Sequence, residues 1–111
     1  MGHRIFVGAL MMLSVLGSHA ADSNTVAKVI YTGTYGDGRL FVALDAQINE
    51  PGCIYSRFDV PASHPQIKSW LAIALTAAAS GKSVVVRTSG CFGVLPTMTQ
   101  TTDSWFYLQP N

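Results

Sequence analysis

The rhythm of hydrophobic and polar positions changes along the chain, and each change predicts an element. Ile5 to Leu16 (IFVGALMMLSVL) is apolar on every side and carries no charge. From Val26 the pattern becomes β-like: VAKVIYTGTY is rich in Val, Ile, Thr and Tyr, and alternation puts Val29, Tyr31, Gly33 and Tyr35 on one face. Gly36-Asp37-Gly38 then breaks the run with residues suited to a hairpin turn. In RLFVALDAQI, Leu40, Val42, Leu44, Ala46 and Ile48 fall on one face, with Phe41, Ala43 and Asp45 on the other. Gly33, inside the first strand, is where a bulge or bend is expected.

Asn49-Glu50-Pro51-Gly52 reads as a turn, and Ile54 to Val60 as a third strand ended by Pro61. The period then lengthens. Ile67, Trp70, Leu71, Ala74, Leu75 and Ala78 follow helical spacing and predict one apolar stripe. Ser63 and Gln66 have the spacing of a capping box, Pro65 suits a first turn, and Gly81 suits a left-handed stop. The helix is therefore expected over about 64–80. Ser83 to Thr88 predicts a fourth strand, Phe92 to Thr102 a Thr-rich loop around Pro96, and Ser104 to Gln109 a last strand. The order β-β-β-α-β-β makes this a mainly β, α+β domain. It fits a five-stranded OB-like barrel with its helix between strands three and four.

The first apolar stretch belongs to a different device. It follows a short basic start, Met1 to Arg4, and precedes small residues at Ser18-His19-Ala20. That is the layout of a secretory signal peptide, and the run is too short to span a bilayer. Residues 1–20 are expected to be cleaved, leaving 21–111 as one domain exported to the periplasm or the medium. The whole chain carries seven Lys and Arg against six Asp and Glu, and loss of Arg4 with the leader balances them. A neutral chain without a basic run offers no footprint for nucleic acid or an anionic membrane.

Export also sets the chemistry expected of Cys53 and Cys91, the chain's two cysteines. An oxidising compartment favours one disulfide between them. Closing that loop would stabilise the domain by roughly 4 kcal/mol. A metal site or a nucleophilic thiol would need more partners than His64, the one histidine beyond the leader. His64 falls in the helix-cap region, where a structural role near solvent is expected. Asp37, Asp45, Glu50, Asp59 and Asp103 are scattered singly, as solvated acids are, and form no pair suited to glycoside hydrolysis. No phosphate-loop, dinucleotide, calcium-loop or metalloprotease motif occurs. No catalysis, metal or other cofactor is therefore expected.

Aromatic residues carry the remaining signal. Tyr35, Asp37 and Arg39 surround the first turn, and Trp105 and Tyr107 share a face of the last strand. Rings that stack on sugar faces, beside Asp or Arg groups that fix hydroxyls, make these five the candidate ligand-binding residues. The competing reading is that some of these rings fill the core.

One segment is more specific than the rest. In SWLAIALTAAASGKSVVVRTSGC a tryptophan-containing helix ends at a glycine and leads directly into a Val-rich strand. With the leader and the strand pair before it, the chain resembles small exported OB-fold proteins related to the B subunits of AB5 toxins, the subtilase-cytotoxin and pertussis-like group. The resemblance runs from about Val26 to Leu108. It implies a non-catalytic subunit that recognises a glycan or cell-surface receptor and assembles as a ring of five. The alternative is a periplasmic protein-interaction factor, an inhibitor or immunity protein that blocks a partner.

Overall fold

A computed structural model describes residues 24–110; the expected leader lies outside the described residues. The β-rich run Thr25–Thr34 forms β1, the middle strand of the main sheet. It turns through Gly36 to Gly38 into β2, Leu40–Ile48, and β3, Tyr55–Val60, lies outside β2. Helix α1, Ile67–Ser80, then crosses to β4, Ser83–Arg87, on the other side of β1. Two short strands, β5 (Cys91–Phe92) and β6 (Leu95–Pro96), make a separate hairpin, and β7, Trp105–Leu108, completes the main sheet beside β4. The main-sheet order is β3-β2-β1-β4-β7, and every pairing in it is antiparallel.

The five-stranded sheet with one helix follows the expected order, but the sheet is not closed into a barrel. Its edge strands, β3 and β7, do not pair with each other. What meets β3 is the end of the β5–β6 hairpin, through a single parallel bridge between Asp59 and Thr97, with the Thr97 hydroxyl donating to the Asp59 carbonyl at 2.9 Å. Pro96 has no N–H to extend such a ladder. This hairpin occupies part of the stretch expected to be an irregular loop. Its turn holds Gly93 in the left-handed region, at φ 63°.

Register along β1 decides which side chains are buried. Val29 lies opposite Leu44, but Tyr31 lies opposite Ala43, so Ile30 is an extra residue on β1. A bulge of this kind shifts the alternation by one position. Ala27 and Val29 enter the core before it; Tyr31 stands in solvent after it. The expectation that Val29 and Tyr31 share a face is therefore wrong. The irregularity lies at Ile30, not at Gly33. Where β1 and β2 diverge, the Lys28 N–H donates to the Asp45 carboxylate at 2.8 Å, a side chain standing in for the ladder.

Beneath the sheet, Leu40, Val42, Leu44, Phe58, Val60, Val84, Val86 and Phe106 pack against Trp70, Ala74 and Ala77 of α1. The helix is rotated from the expected stripe. Ala77 is buried and Ile73 packs against the core, whereas Leu75 and Ala78 are exposed. Small side chains at Ala74 and Ala77 let the helix approach the sheet, which leaves the bulkier Leu75 outside. Gly81 ends the helix in the left-handed conformation, its N–H donating to Ala77 O at 2.9 Å.

The start of the helix also differs from expectation. It begins at Ile67 rather than near 64, and no Ser63–Gln66 box forms. A turn from Pro61 to His64 comes first, closed by the His64 N–H donating to Pro61 O. The imidazole takes the capping role instead, its Nδ1 accepting from the Gln66 N–H at 3.1 Å. Finally, Cys53 and Cys91 are joined in the expected disulfide, which ties the β5–β6 hairpin to the turn before β3.

Candidate functional site

The shifted alternation after Ile30 builds a surface of rings on the outer face of the sheet. Tyr31 is 51% exposed. Gly33 lies opposite Phe41, and the missing side chain makes room for that ring: a Cβ on Gly33 would sit 2.9 Å from the ring tip. Phe41 fills the gap and meets both neighbours, with ring centres 6.1 Å from Tyr31 and 5.0 Å from Tyr35. Such tilted and edge-on contacts are the favoured geometry for aromatic pairs.

Arg39 organises the end of this face. Its guanidinium lies 4.3 Å from the centre of the Tyr35 ring and 4.5 Å from that of Phe92, held between the two. Two carboxylates take its edges: Nε donates to Asp37 at 2.9 Å and an Nη donates to Asp59 at 3.1 Å. Asp37 also accepts the Arg39 backbone N–H at 3.1 Å, so the turn positions its own cation. Phe92 arrives from the β5–β6 hairpin, next to the disulfide. Arg57 stands close by, its guanidinium 5.7 Å from the Phe41 ring centre and its Nε 4.0 Å from Asp59.

The two acids have opposite electrostatics. Asp37 is held below the usual aspartate range, first by the Arg39 backbone N–H and then by the Arg39 side chain. Asp59 is 1% exposed although it lies on the outer face, because the arginines and rings cover it. Burial raises its pKa, against the opposing pull of Arg57 and Arg39 and of the Tyr35 hydroxyl. The expectation that the single acids are solvated fails for Asp59. It fails also for Glu50, which is buried and accepts the Thr88 hydroxyl.

Of the five candidate residues, the structure brings Tyr35, Asp37 and Arg39 together and leaves Trp105 and Tyr107 apart. Trp105 pairs with Arg87 near the first residue of β1, whereas Tyr35 follows the last. The strand between them is about 30 Å long at the usual rise. Arg87 lies over the Trp105 ring at 5.1 Å, the indole N–H donates to Asn24 at 2.9 Å, and Tyr107 is exposed. Phe41, Arg57, Asp59 and Phe92 were absent from the sequence-based set. The Gly33–Phe41 opposition could have been found by counting back from the hairpin turn. Phe92 could not, since only the disulfide and the short hairpin carry it there.

His64 is buried rather than near solvent, and both ring nitrogens are occupied. With Nδ1 accepting from Gln66, Nε2 carries the proton and donates to Thr99 O. No three His, Cys, Asp or Glu side chains converge as metal ligands among the described residues. No helix among them is long and apolar enough to cross a membrane. Compared with protein-family models, with curated proteins and with solved structures, the chain matches none.

Proposed function

We propose that the protein is an exported, non-catalytic binding module, that its ligand is a glycan, and that the glycan lies on the outer face formed by β1, β2 and β3. The observation that supports this reading most is the solvent-facing ledge of Tyr31, Phe41 and Tyr35 beside the Arg39–Asp37 pair. A sugar ring presents an apolar face that stacks on such rings and hydroxyls that bond to charged edges. Asp37 is exposed and pre-oriented, so its remaining lone pairs point to a ligand without a further ordering cost. The non-catalytic part of the reading is supported by the engagement of Asp37 and Asp59 by one arginine and of both His64 nitrogens by backbone groups. Ring assembly, as in toxin B subunits, belongs to the same reading and predicts five copies by light scattering.

A glycan array probed with residues 21–111, wild type and Tyr31→Ala, tests the ligand class. Loss of a stacking ring is expected to weaken binding by about 1–3 kcal/mol, by analogy with ring stacking on bases. Folded protein that binds no glycan would contradict it. A second reading, a protein-interaction factor, is favoured by one observation. Ile54, Tyr55, Phe92 and Val94 are all exposed around the start of β3 and the β5–β6 hairpin, with Val94 at 74%. Exposed apolar groups near arginine and aromatic anchors are also what protein interfaces use. A blank array together with a single cross-linked protein partner would favour that reading.

A further inference from the structure

A cleft of about 360 Å³ opens between the start of α1 and the Thr-rich segment leading to β7, away from the ring ledge. Its walls are joined by His64, which accepts from the Gln66 N–H on the helix side and donates to Thr99 O on the loop side. The imidazole packs against Trp70 with ring centres 4.5 Å apart and the planes tilted by 38°, so the floor is an aromatic pair fixed by packing and hydrogen bonds. Nothing in the lining is an Asp, Glu, Lys or Arg. An ion in the cleft would meet no counter-charge, which favours neutral ligands over charged ones.

The polar groups specify what would be accepted instead. The hydroxyls of Thr99, Thr101 and Ser104 make two bonds among themselves, Thr99 to Thr101 at 2.9 Å and Thr99 to Ser104 at 3.1 Å. Three hydroxyls carry three donors, and two bonds use two of them. Backbone N–H groups of Thr99 and Asp103 also donate to Ser104 and Thr101, so of the six hydroxyl lone pairs two remain, with one O–H donor, for a ligand. The amides of Gln66 and Gln100 add paired donors and acceptors at the cleft. A ligand that matches must itself both donate and accept repeatedly, carry no charge, and offer an apolar face to the Trp70 side. The volume lies at the small end of ligand sites.

We infer that this cleft binds a neutral, hydroxyl-rich ligand of single-sugar size, at a site separate from the outer face. The inference does not depend on the outer face binding anything. It is tested by titrating isotope-labelled residues 21–111 with the methyl glycosides of glucose, galactose, mannose and N-acetylglucosamine, and with glucuronate as the charged control. Amide and indole NMR shifts report the site. Saturable shifts are expected for Gln66, the Trp70 indole and residues 99–102 with at least one neutral glycoside, and none at these positions with glucuronate. They should persist in Tyr31→Ala, which removes only the outer ledge. The double variant Gln100→Ala with Thr102→Val changes exposed loop residues and should bind about tenfold or more weakly, the loss expected for two hydrogen-bonding groups. Absence of saturable cleft shifts with every neutral probe would overturn the inference. So would equal binding of glucuronate, or unchanged affinity in the folded double variant.

Discussion

Before Ile30, β1 sends Ala27 and Val29 under the helix; after it, the same strand sends Tyr31 into solvent and continues to Gly33 and Tyr35. The two halves have similar β-forming composition and opposite fates. Thr25 to Lys28 pair with β4, and Ala27 and Val29 support the core, while Tyr31 to Thr34 pair with β2 on the side that carries the rings. Composition did not decide between structure and surface here. One additional residue did, because side chains in a strand alternate with a period of two and a single insertion exchanges the faces.

Deleting Ile30 is the harshest way to break the comparison. The alternation would then drive Tyr31 and its successors toward a core already filled, or pull Val29 out of it. We expect a loss of more than about 4 kcal/mol in denaturant unfolding. Ile30→Thr keeps the count, and because Ile30 is exposed it should change stability by less than about 0.5 kcal/mol. Equal effects from both variants would mean that residue count at this position is unimportant.

The rotation of α1 permits a similar contrast. Trp70→Ala should cost about 3–5 kcal/mol through lost burial and a partly collapsed cavity. Leu75→Ala, on the exposed side, should cost well under about 1 kcal/mol. Comparable costs would restore the stripe expected from spacing. Replacing Cys53 and Cys91 together by alanine should lower stability by about 2–5 kcal/mol. It should also increase amide exchange around Phe92, since the bridge anchors that hairpin. Protection of Phe92 unchanged by the substitution would detach the disulfide from the ring face.

The smallest effect expected is electrostatic and concerns Asp59. Its pKa is raised in the fold, so the stability linked to its titration is fully present below the ordinary aspartate value of 3.8. That contribution is lost as pH rises through the raised value. The stability of wild type minus that of Asp59→Asn should therefore fall as pH increases across this window. Urea unfolding at a series of pH values measures the difference. A difference that rises with pH would show that the arginines outweigh burial.

Much of the scaffold is legible in the sequence because it rests on local rules. Alternation in Leu40 to Ile48, the Gly36–Gly38 turn and the Gly81 stop each follow from neighbouring residues, and the cysteine pair from there being two cysteines to join. The features that escaped depend on contacts distant in sequence. Ile30 carries no mark of a bulge, and Gly33, which does, serves to seat Phe41. Ser63 and Gln66 match a capping box, yet the imidazole of His64 reaches the Gln66 N–H first because its other nitrogen is anchored at Thr99. The candidate site divides in the same way. Tyr35, Asp37 and Arg39 lie within one turn and were legible together. Arg57, Asp59 and Phe92 reach them only through strand register and the disulfide-linked hairpin, and Trp105 and Tyr107 are carried to the far end of β1.

The side on which Tyr31 lies can be measured directly by nuclear Overhauser contacts of its ring in residues 21–111. The bulge at Ile30 predicts contacts from the Tyr31 ring to the Phe41 ring, with none to the methyl groups of Val29, Leu44 or Val86. Contacts from Tyr31 to those core methyls, with Phe41 silent, would place the ring inside and contradict both the register and the surface built on it.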